Sequence, residues 1–179
     1  MMPAKPETNA SETLPDGAPP DAAVQRARAV VAAVVDPEIP VLTLEDLGIV
    51  RAIERRNGEI VVELTPTYTG CPATLAIRLA VEAALTDAGL GEARVVTRLS
   101  PPWSSDEITE SGRRKLREFG IAPPAPAASH RALFADAEVA CPRCGSTETT
   151  KISEFGSTAC KAQWRCRSCA EPFDYFKCL

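Results

Sequence analysis

Four cysteines near the end of the chain have the spacing of a metal site. They form two Cys-x-x-Cys pairs, Cys141 with Cys144 and Cys166 with Cys169. Each pair places two thiolates on one tight turn, and two such turns complete the tetrahedron that Zn²⁺ prefers. A segment this short buries too little apolar surface to fold alone, so a metal would supply most of its stability. We therefore predict a zinc ribbon over residues 138–179, with one structural zinc ion.

Two alternatives to this interpretation concern the metal and the partner. A rubredoxin-like iron or a [4Fe–4S] cluster also takes four cysteines. Zinc ribbons often bind nucleic acid, but residues 138–179 carry six basic and five acidic side chains, and four thiolates with one Zn²⁺ add two negative charges. A net charge near −1 disfavours a polyanion, so we expect no nucleic acid partner. Protein contact is favoured instead, with Phe173, Tyr175 and Phe176 as its anchors.

The middle of the chain contains one cysteine, Cys71, at a position that favours chemistry. It directly precedes Pro72, where a helix is expected to begin, so Cys71 is predicted to be the N-cap of that helix. The unpaired N–H groups and the positive dipole end of that helix would favour a thiolate and lower the thiol pKa. Such a cysteine is a nucleophile or a soft-metal ligand, and a buried structural cysteine is the alternative. The sequence TPTYTGCP adds three hydroxyls beside the sulfur, from Thr65, Thr67 and Thr69.

Other residues add little to a catalytic set. The single histidine, His130, lies in a Pro/Ala stretch, which argues against a Cys/His hydrolase. Cys160 and Cys178 lie outside the two pairs. Cys160 falls at the expected hairpin tip or return strand of the ribbon. It is interpreted either as a small packed residue or as an extra thiol, available as a ligand or to a partner.

The elements that would position Cys71 read as an α/β unit over residues 21–120. Asp21 can cap a first helix, which Asp36-Pro37 stops. Two β-rich runs, 49–55 and 59–65, flank the Asn-Gly pair that is typical of a hairpin. A two-residue loop would set Ile53 opposite Val62.

The remaining elements complete the predicted order α-β-β-α-β-α. A helix is expected from Pro72 to about residue 88, a third strand over 93–99 and a short polar helix over 106–118. The fold class is therefore α/β, a small mixed sheet with helices packed on it, followed by a separate C-terminal zinc ribbon.

The flanking segments and the composition limit the location of the protein. Residues 1–20 contain five prolines and are predicted to be a disordered tail, and residues 121–137 a Pro/Ala linker. The N-terminus lacks the apolar core of a secretory signal, and no run is apolar enough for a membrane helix. We expect a cytoplasmic protein without a membrane partner, whose seven cysteines serve as metal ligands or thiols.

Two sequence blocks resemble a known family. DPEIPVLTLEDLGIV, residues 36–50, with TPTYTGCP, residues 65–72, resembles the small domain of SufT-like iron–sulfur assembly factors. With the run CPRCGSTETTKISEFGSTACKAQWRCRSCAEPFDYFK behind it, the chain is similar to the PaaD family of accessory proteins of the bacterial phenylacetyl-CoA epoxidase system. The likeness spans roughly residues 21–178 and leaves the N-terminal tail outside.

The resemblance implies a role in phenylacetate breakdown. The chain has neither a pair of Glu-x-x-His motifs nor a Gly-rich dinucleotide fingerprint, so it is not itself the oxygenase or the reductase of that system. What the resemblance implies is maturation or repair of an iron or iron–sulfur centre in one of those subunits. Cys71 would be the transient ligand for iron or a cluster, with Asp36 and Glu38 as oxygen ligands converging on the same surface pocket. A stable structural or regulatory subunit is the alternative, and a nucleic-acid binder is the least favoured by charge.

Overall fold

Two small sheets organise the chain, one in each predicted domain. The structure is a computed structural model and describes residues 21–68, 70–91, 93–124 and 138–177. The predicted tail over 1–20, the linker beyond residue 124, and Cys178 lie outside the described residues. Within those residues, no helix has the length and apolar character needed to cross a membrane.

The first helix, α1 (Ala22–Ala32), is capped as the sequence predicts. The Asp21 carboxylate accepts a hydrogen bond from the N–H of Ala23 at 2.8 Å, and Arg55 Nε donates to the same carboxylate at 2.5 Å. Ala27 and Val31, one turn apart, are fully buried. The N-cap hydrogen bond therefore stabilises the start of the helix, and one face of the helix packs in the core.

The hairpin has the predicted register. Strands β1 (Val50–Arg56) and β2 (Glu59–Leu64) are antiparallel, and Ile53 pairs with Val62. Asn57 and Gly58 have φ values of 52° and 85°, the positive values that a tight primed hairpin turn requires. The turn residues thus determine which side chains of β1 face the core.

Helix α2 (Thr74–Asp87) joins β2 to the parallel strand β3 (Ala93–Thr97), giving the sheet order β1-β2-β3. Its buried positions, Ile77, Val81 and Leu85, recur every four residues. The helix begins at Thr74 rather than at Pro72, and Ala73 occupies the N-cap. The prediction that Cys71 is the N-cap is therefore wrong by two residues.

The polar helix predicted over 106–118 is two elements, a 3₁₀ turn (Ser105–Glu107) and α3 (Glu110–Glu118). Ile108 and Thr109 separate them, and Thr109 caps α3 by accepting the N–H of Gly112 at 2.9 Å. Asp46 ties α3 to the loop after α1. It is 5% exposed, and its carboxylate accepts from the Lys115 ammonium at 2.5 Å and from the Thr43 N–H at 3.0 Å.

We predict that Asp46→Asn lowers the free energy of unfolding by about 2–3 kcal/mol, since a charge-assisted hydrogen bond is lost in a buried position. Burial alone would raise the pKa of Asp46, but Lys115 and Thr43 outweigh burial and lower it below 3.8. The folded pKa lies below the unfolded value, so this stabilisation is complete above the unfolded value and is lost as pH falls through the folded one. Urea titrations at neutral and acidic pH would measure it.

The exposed neighbour provides the control for that prediction. Glu45→Gln changes a carboxylate to an amide at the adjacent, exposed position and should leave the unfolding midpoint nearly unchanged. Equal losses in the two variants would contradict the role given to Asp46.

The C-terminal sheet has the strand order β4-β7-β6-β5, with β4 (Ile121–Ala122), β5 (Thr149–Ser153), β6 (Lys161–Cys166) and β7 (Pro172–Phe176). Strand β4 falls in the segment predicted to be linker and corrects that boundary. It pairs in parallel with β7, and both of its residues are buried. Burying these two apolar side chains in the sheet is more favourable in free energy than leaving them in solvent. Pro123 and Pro124, which cannot donate to the ladder, end the strand.

The ribbon packs on the α/β domain, although each has its own sheet as predicted. Ile121, Cys160 and Phe176 belong to the same buried core as the α/β side chains. Trp103 meets Phe176 edge to face, with ring centroids 6.2 Å apart. The prediction that the aromatic residues of β7 anchor an external partner is wrong for Phe176, which is 2% exposed and lies in this internal contact.

Candidate metal centre and cysteine–carboxylate site

The four paired cysteines lie together as the sequence predicts. Their sulfur atoms are all within 4.8 Å of one another, with 3.8 Å from Cys141 to Cys169 and 3.6 Å from Cys144 to Cys166. Ligands about 2.3 Å from a tetrahedral zinc would be about 3.8 Å apart. The donor set therefore fits one Zn²⁺ with four protein ligands and no open position, which is the arrangement of a structural site.

The backbone of the two turns supports this set. Gly145 follows the first pair with a φ of 76°, the left-handed conformation in which glycine is unstrained. The Cys169 N–H points to Cys166 Sγ at 3.5 Å. This N–H, with that of Ser168, lowers the pKa of Cys166 to about 7. The Cys166 thiol therefore ionises most readily, and a metal ion would displace the protons of the other three thiols.

The Asp36-Pro37-Glu38 turn brings carboxylates towards the ribbon. Asp36 Oδ1 accepts the N–H groups of Glu38 and Ile39, each at 2.8 Å. Asp36 is 8% exposed, so burial raises its pKa, and these two hydrogen bonds offset only part of the rise. One Asp36 oxygen is therefore occupied in holding the turn, while the Glu38 side chain extends from it.

Glu38 contacts the ribbon directly. Its Oε2 accepts a hydrogen bond from Cys160 Sγ at 3.3 Å, and its carbonyl oxygen lies 3.5 Å from Lys161 Nζ. Lys161 is 6% exposed, and its charge also acts on Asp36 and Cys160. Two consecutive ribbon residues, a thiol and an ammonium, thus lie against the carboxylate turn.

The charges of the same two carboxylates act on the Cys71 thiol. Cys71 is partly buried, and its sulfur faces the N–H of Ala73. Burial raises the pKa of its thiol, and the negative charges of Glu38 and Asp36 add to that rise. The prediction of a lowered pKa is therefore wrong, because burial and two negative charges outweigh the hydrogen bond from Ala73, and the helix begins later than expected. A protonated thiol in this setting is a poor nucleophile, but a metal ion can displace its proton.

Tyr68 belongs to the site, although the sequence interpretation did not include it. Its hydroxyl is buried and has no hydrogen-bond partner among the described residues. Burial, the charge of Glu38 and, once they ionise, the sulfurs of Cys71 and Cys160 raise its pKa to about 12. Its position in the TPTYTGCP block, which contains Cys71, was the sequence signal that could have identified it as part of the site.

The threonines that the sequence predicts beside the Cys71 sulfur are less favourably placed than Tyr68. Thr65 accepts a hydrogen bond from Arg51 Nε at 2.9 Å and is 1% exposed, so its hydroxyl is occupied in the hairpin. Thr69 lies outside the described residues. The sequence offered no local signal for Lys161, whose contact with Glu38 spans 123 positions.

The two clusters differ in how closely their ligand atoms approach. Among the described residues, the ribbon cysteines are the group that brings three or more potential metal ligands within 4.8 Å of one another. Cys160 and Glu38 are in contact at 3.3 Å, but no third potential ligand of the described residues completes such a group with them.

Comparisons with known proteins match two parts of the chain. Residues 25–97 match the family described as "Iron-sulfur cluster assembly protein", and residues 125–177 match "PaaD zinc beta ribbon domain". An Escherichia coli (strain K12) protein named as a subunit of a "Putative 1,2-phenylacetyl-CoA epoxidase" is 51% identical over 162 residues, which is 90% of this chain and 96% of that protein.

Two solved structures resemble part of the chain. A domain of unknown function, DUF59, from Bacillus anthracis is 28% identical and covers 53% of this chain and 92% of its own, with a TM-score of 0.49. A Mycobacterium tuberculosis protein described as associated with [Fe-S] complex assembly and repair is 35% identical and covers 55% and 84%, with a TM-score of 0.32. The identity to the Escherichia coli protein over nearly the full length of both chains, with both domain matches, shows that this chain belongs to the PaaD family.

Proposed function

We propose that this chain is an accessory protein of the phenylacetyl-CoA epoxidase system that acts in the cytoplasm. Its role would be maturation or repair of the iron or iron–sulfur centre of the oxygenase or reductase subunit. The name of the Escherichia coli relative and the iron–sulfur assembly family matched by residues 25–97 support the system and the class of activity.

The observation that carries the proposal is the meeting of a thiol with carboxylates. Cys71 is close enough to Glu38 and Asp36 for both charges to act on its thiol. Ferrous iron and iron–sulfur clusters are bound by thiolates, and ferrous iron also by carboxylates. Iron or a cluster would therefore be the cargo of this site, held by Cys71 and Glu38 while Asp36 fixes the turn.

We infer a different role for the four-cysteine group, that of a resident zinc site. Its sulfurs already lie at tetrahedral spacing, and four protein ligands leave no position for exchange. Zinc would supply folding energy to the ribbon, and the ribbon in turn would cover the cysteine–carboxylate site.

Metal analysis of the partner proteins tests the proposal. The oxygenase and reductase subunits would be purified from cells with and without this chain, and their iron content measured per polypeptide. We expect one of the two to lose most of its iron when the chain is absent and to regain it when the chain is supplied again. Full iron loading and activity without the chain would contradict a maturation role.

A stable structural or regulatory subunit is the second candidate. The word "subunit" in the name of the relative favours it, as do two exposed side chains on one face of α2. Leu75 and Leu79, one turn apart, are 57% and 53% exposed. This alternative predicts stable co-purification with the epoxidase at fixed stoichiometry, whereas a maturation factor would dissociate.

A further inference from the structure

Helix α2 is apolar on two opposite faces. One face, which carries Ile77, Val81 and Leu85, is buried in the core. A surface helix normally carries polar side chains on the side away from the core. In α2 that side is apolar and exposed, and we refer to its residues as the outer face of α2: Leu75, Ala76, Leu79, Ala80 and Ala83. An exposed apolar surface of this kind indicates contact with another protein.

The side-chain sizes on the outer face complement one another in an antiparallel pair of helices. Leu75 and Leu79, both more than half exposed, lie in the first half of α2, whereas Ala80 and Ala83 lie in the second half. A two-fold axis between Leu79 and Ala80 would exchange the two halves. The leucines of one copy would then pack against the alanines of the other, which is how two helix surfaces approach closely.

The charges beside the outer face are complementary in the same arrangement. Arg78 and Glu82 lie one turn apart on one flank, with 3.8 Å between Arg78 Nε and Glu82 Oε1. Because the axis exchanges the two halves of the helix, Arg78 of each copy would lie beside Glu82 of the other. Two ion pairs would therefore flank the contact between copies.

The ends of α2 also lack what a second copy would supply. The first turn contains no acidic residue, and Ala73 provides no side-chain cap. Asp87 lies in the last turn, where a carboxylate is unfavourable in its own helix. In an antiparallel pair, Asp87 of one copy would lie near the uncapped start of the other, where a negative charge is favourable.

We propose that the outer face of α2 is the contact between two copies of this chain, packed as an antiparallel, two-fold symmetric helix pair. Size, charge and helix polarity each find their counterpart on the same face, which favours a second copy over an unrelated partner. The proposal does not depend on the metal cargo proposed above. A contact made by one helix of 14 residues is small, so the dimer should dissociate reversibly, in the micromolar range.

Sedimentation equilibrium of the full-length, zinc-loaded chain tests the inference. With rising concentration, the wild type should approach about twice the 19.1 kDa of one chain. Leu79→Ser should weaken association about tenfold or more, because both copies lose an apolar side chain that dimerisation buries. Leu99→Ser makes the same change at a similarly exposed leucine outside α2, and this matched control should associate as the wild type does.

Mixing two charge variants tests the orientation of the helices. Arg78→Glu leaves two acidic residues on the flank of each copy, and Glu82→Arg leaves two basic residues there. Each variant alone should dimerise about tenfold or more less tightly than the wild type, since like charges would meet across the axis. An equimolar mixture should form a heterodimer about as tight as the wild-type dimer, because every pair across the axis is then of opposite charge.

Three results would overturn the inference. The first is a wild-type chain that stays monomeric up to about 0.5 mM. The second is a dimer that Leu79→Ser leaves as tight as before, and the third is a pair of charge variants with no preference for each other. If the chain alone is monomeric and Leu79→Ser reduces co-purification with the epoxidase, this face binds the epoxidase instead. The iron content of the partner subunits tests the proposed function independently of all these outcomes.

Discussion

Removing zinc with a chelator is expected to unfold the ribbon and to make Cys160 and Cys71 reactive towards iodoacetamide. The metal contributes about 10–16 kcal/mol to folding in small zinc domains, more than the described ribbon of 40 residues, 138–177, can replace by apolar burial. Because Ile121 and Phe176 share the core of the α/β domain, the loss should reach beyond the ribbon.

The measurement is alkylation followed by mass spectrometry of cysteine-containing peptides. In the zinc-loaded chain, Cys160 should react slowly because it is buried. After chelation, or in Cys166→Ser, its rate should rise by about tenfold or more, and that of Cys71 should rise with it. Ser168→Ala keeps all four ligands and should react as the wild type does. A chelated chain with a protected Cys160 would show that the ribbon folds without its metal.

The local features of the fold could be predicted from the sequence because their causes are local. Asn57-Gly58 determines the hairpin, since both residues adopt positive φ there. The two Cys-x-x-Cys pairs determine the metal-binding turns in the same way. The spacing of apolar residues identifies the buried faces of α1 and α2, and the predicted order of helices and strands is found over residues 21–120 apart from the 3₁₀ turn before α3.

What the sequence could not predict depends on contacts distant along the chain. The pKa of Cys71 rises because the chain buries it beside Glu38, which outweighs the dipole effect inferred from Pro72. The contact between Cys160 and Glu38 joins residues 122 positions apart. Phe176 looked like a partner anchor because nothing in its own segment indicates that Trp103 covers it.

Because of these contacts, the ribbon has its own sheet but is not independent of the α/β domain. A flexible linker between independent domains would leave the cysteine–carboxylate site untouched by events at the zinc site. In the structure, the ribbon contributes Cys160 and Lys161 to that site, and β4 follows α3 almost directly. We therefore expect packing to couple zinc binding to the accessibility of Cys71.

Cys71→Ala is expected to abolish growth on phenylacetate without unfolding the chain. Cys71 is only partly buried, and its removal should cost about 1 kcal/mol of stability, within the range of ordinary substitutions. Zinc should be retained, because none of the four ribbon ligands is changed. The oxygenase or reductase subunit purified from these cells should nevertheless be short of iron, since the cargo site has lost a sulfur ligand.

A comparison of Cys71→Ala with a surface variant, Leu79→Ser, decides between the two candidate functions. If the chain is a stable structural subunit, Cys71→Ala should be nearly silent, whereas Leu79→Ser, on the exposed face of α2, should reduce co-purification with the epoxidase. If the chain is a maturation factor, Cys71→Ala should leave partner contact intact and still leave the partner short of iron. Changes at Phe176 cannot make this distinction, because that side chain supports the fold itself. A fully iron-loaded, active epoxidase from Cys71→Ala cells would therefore favour the structural role.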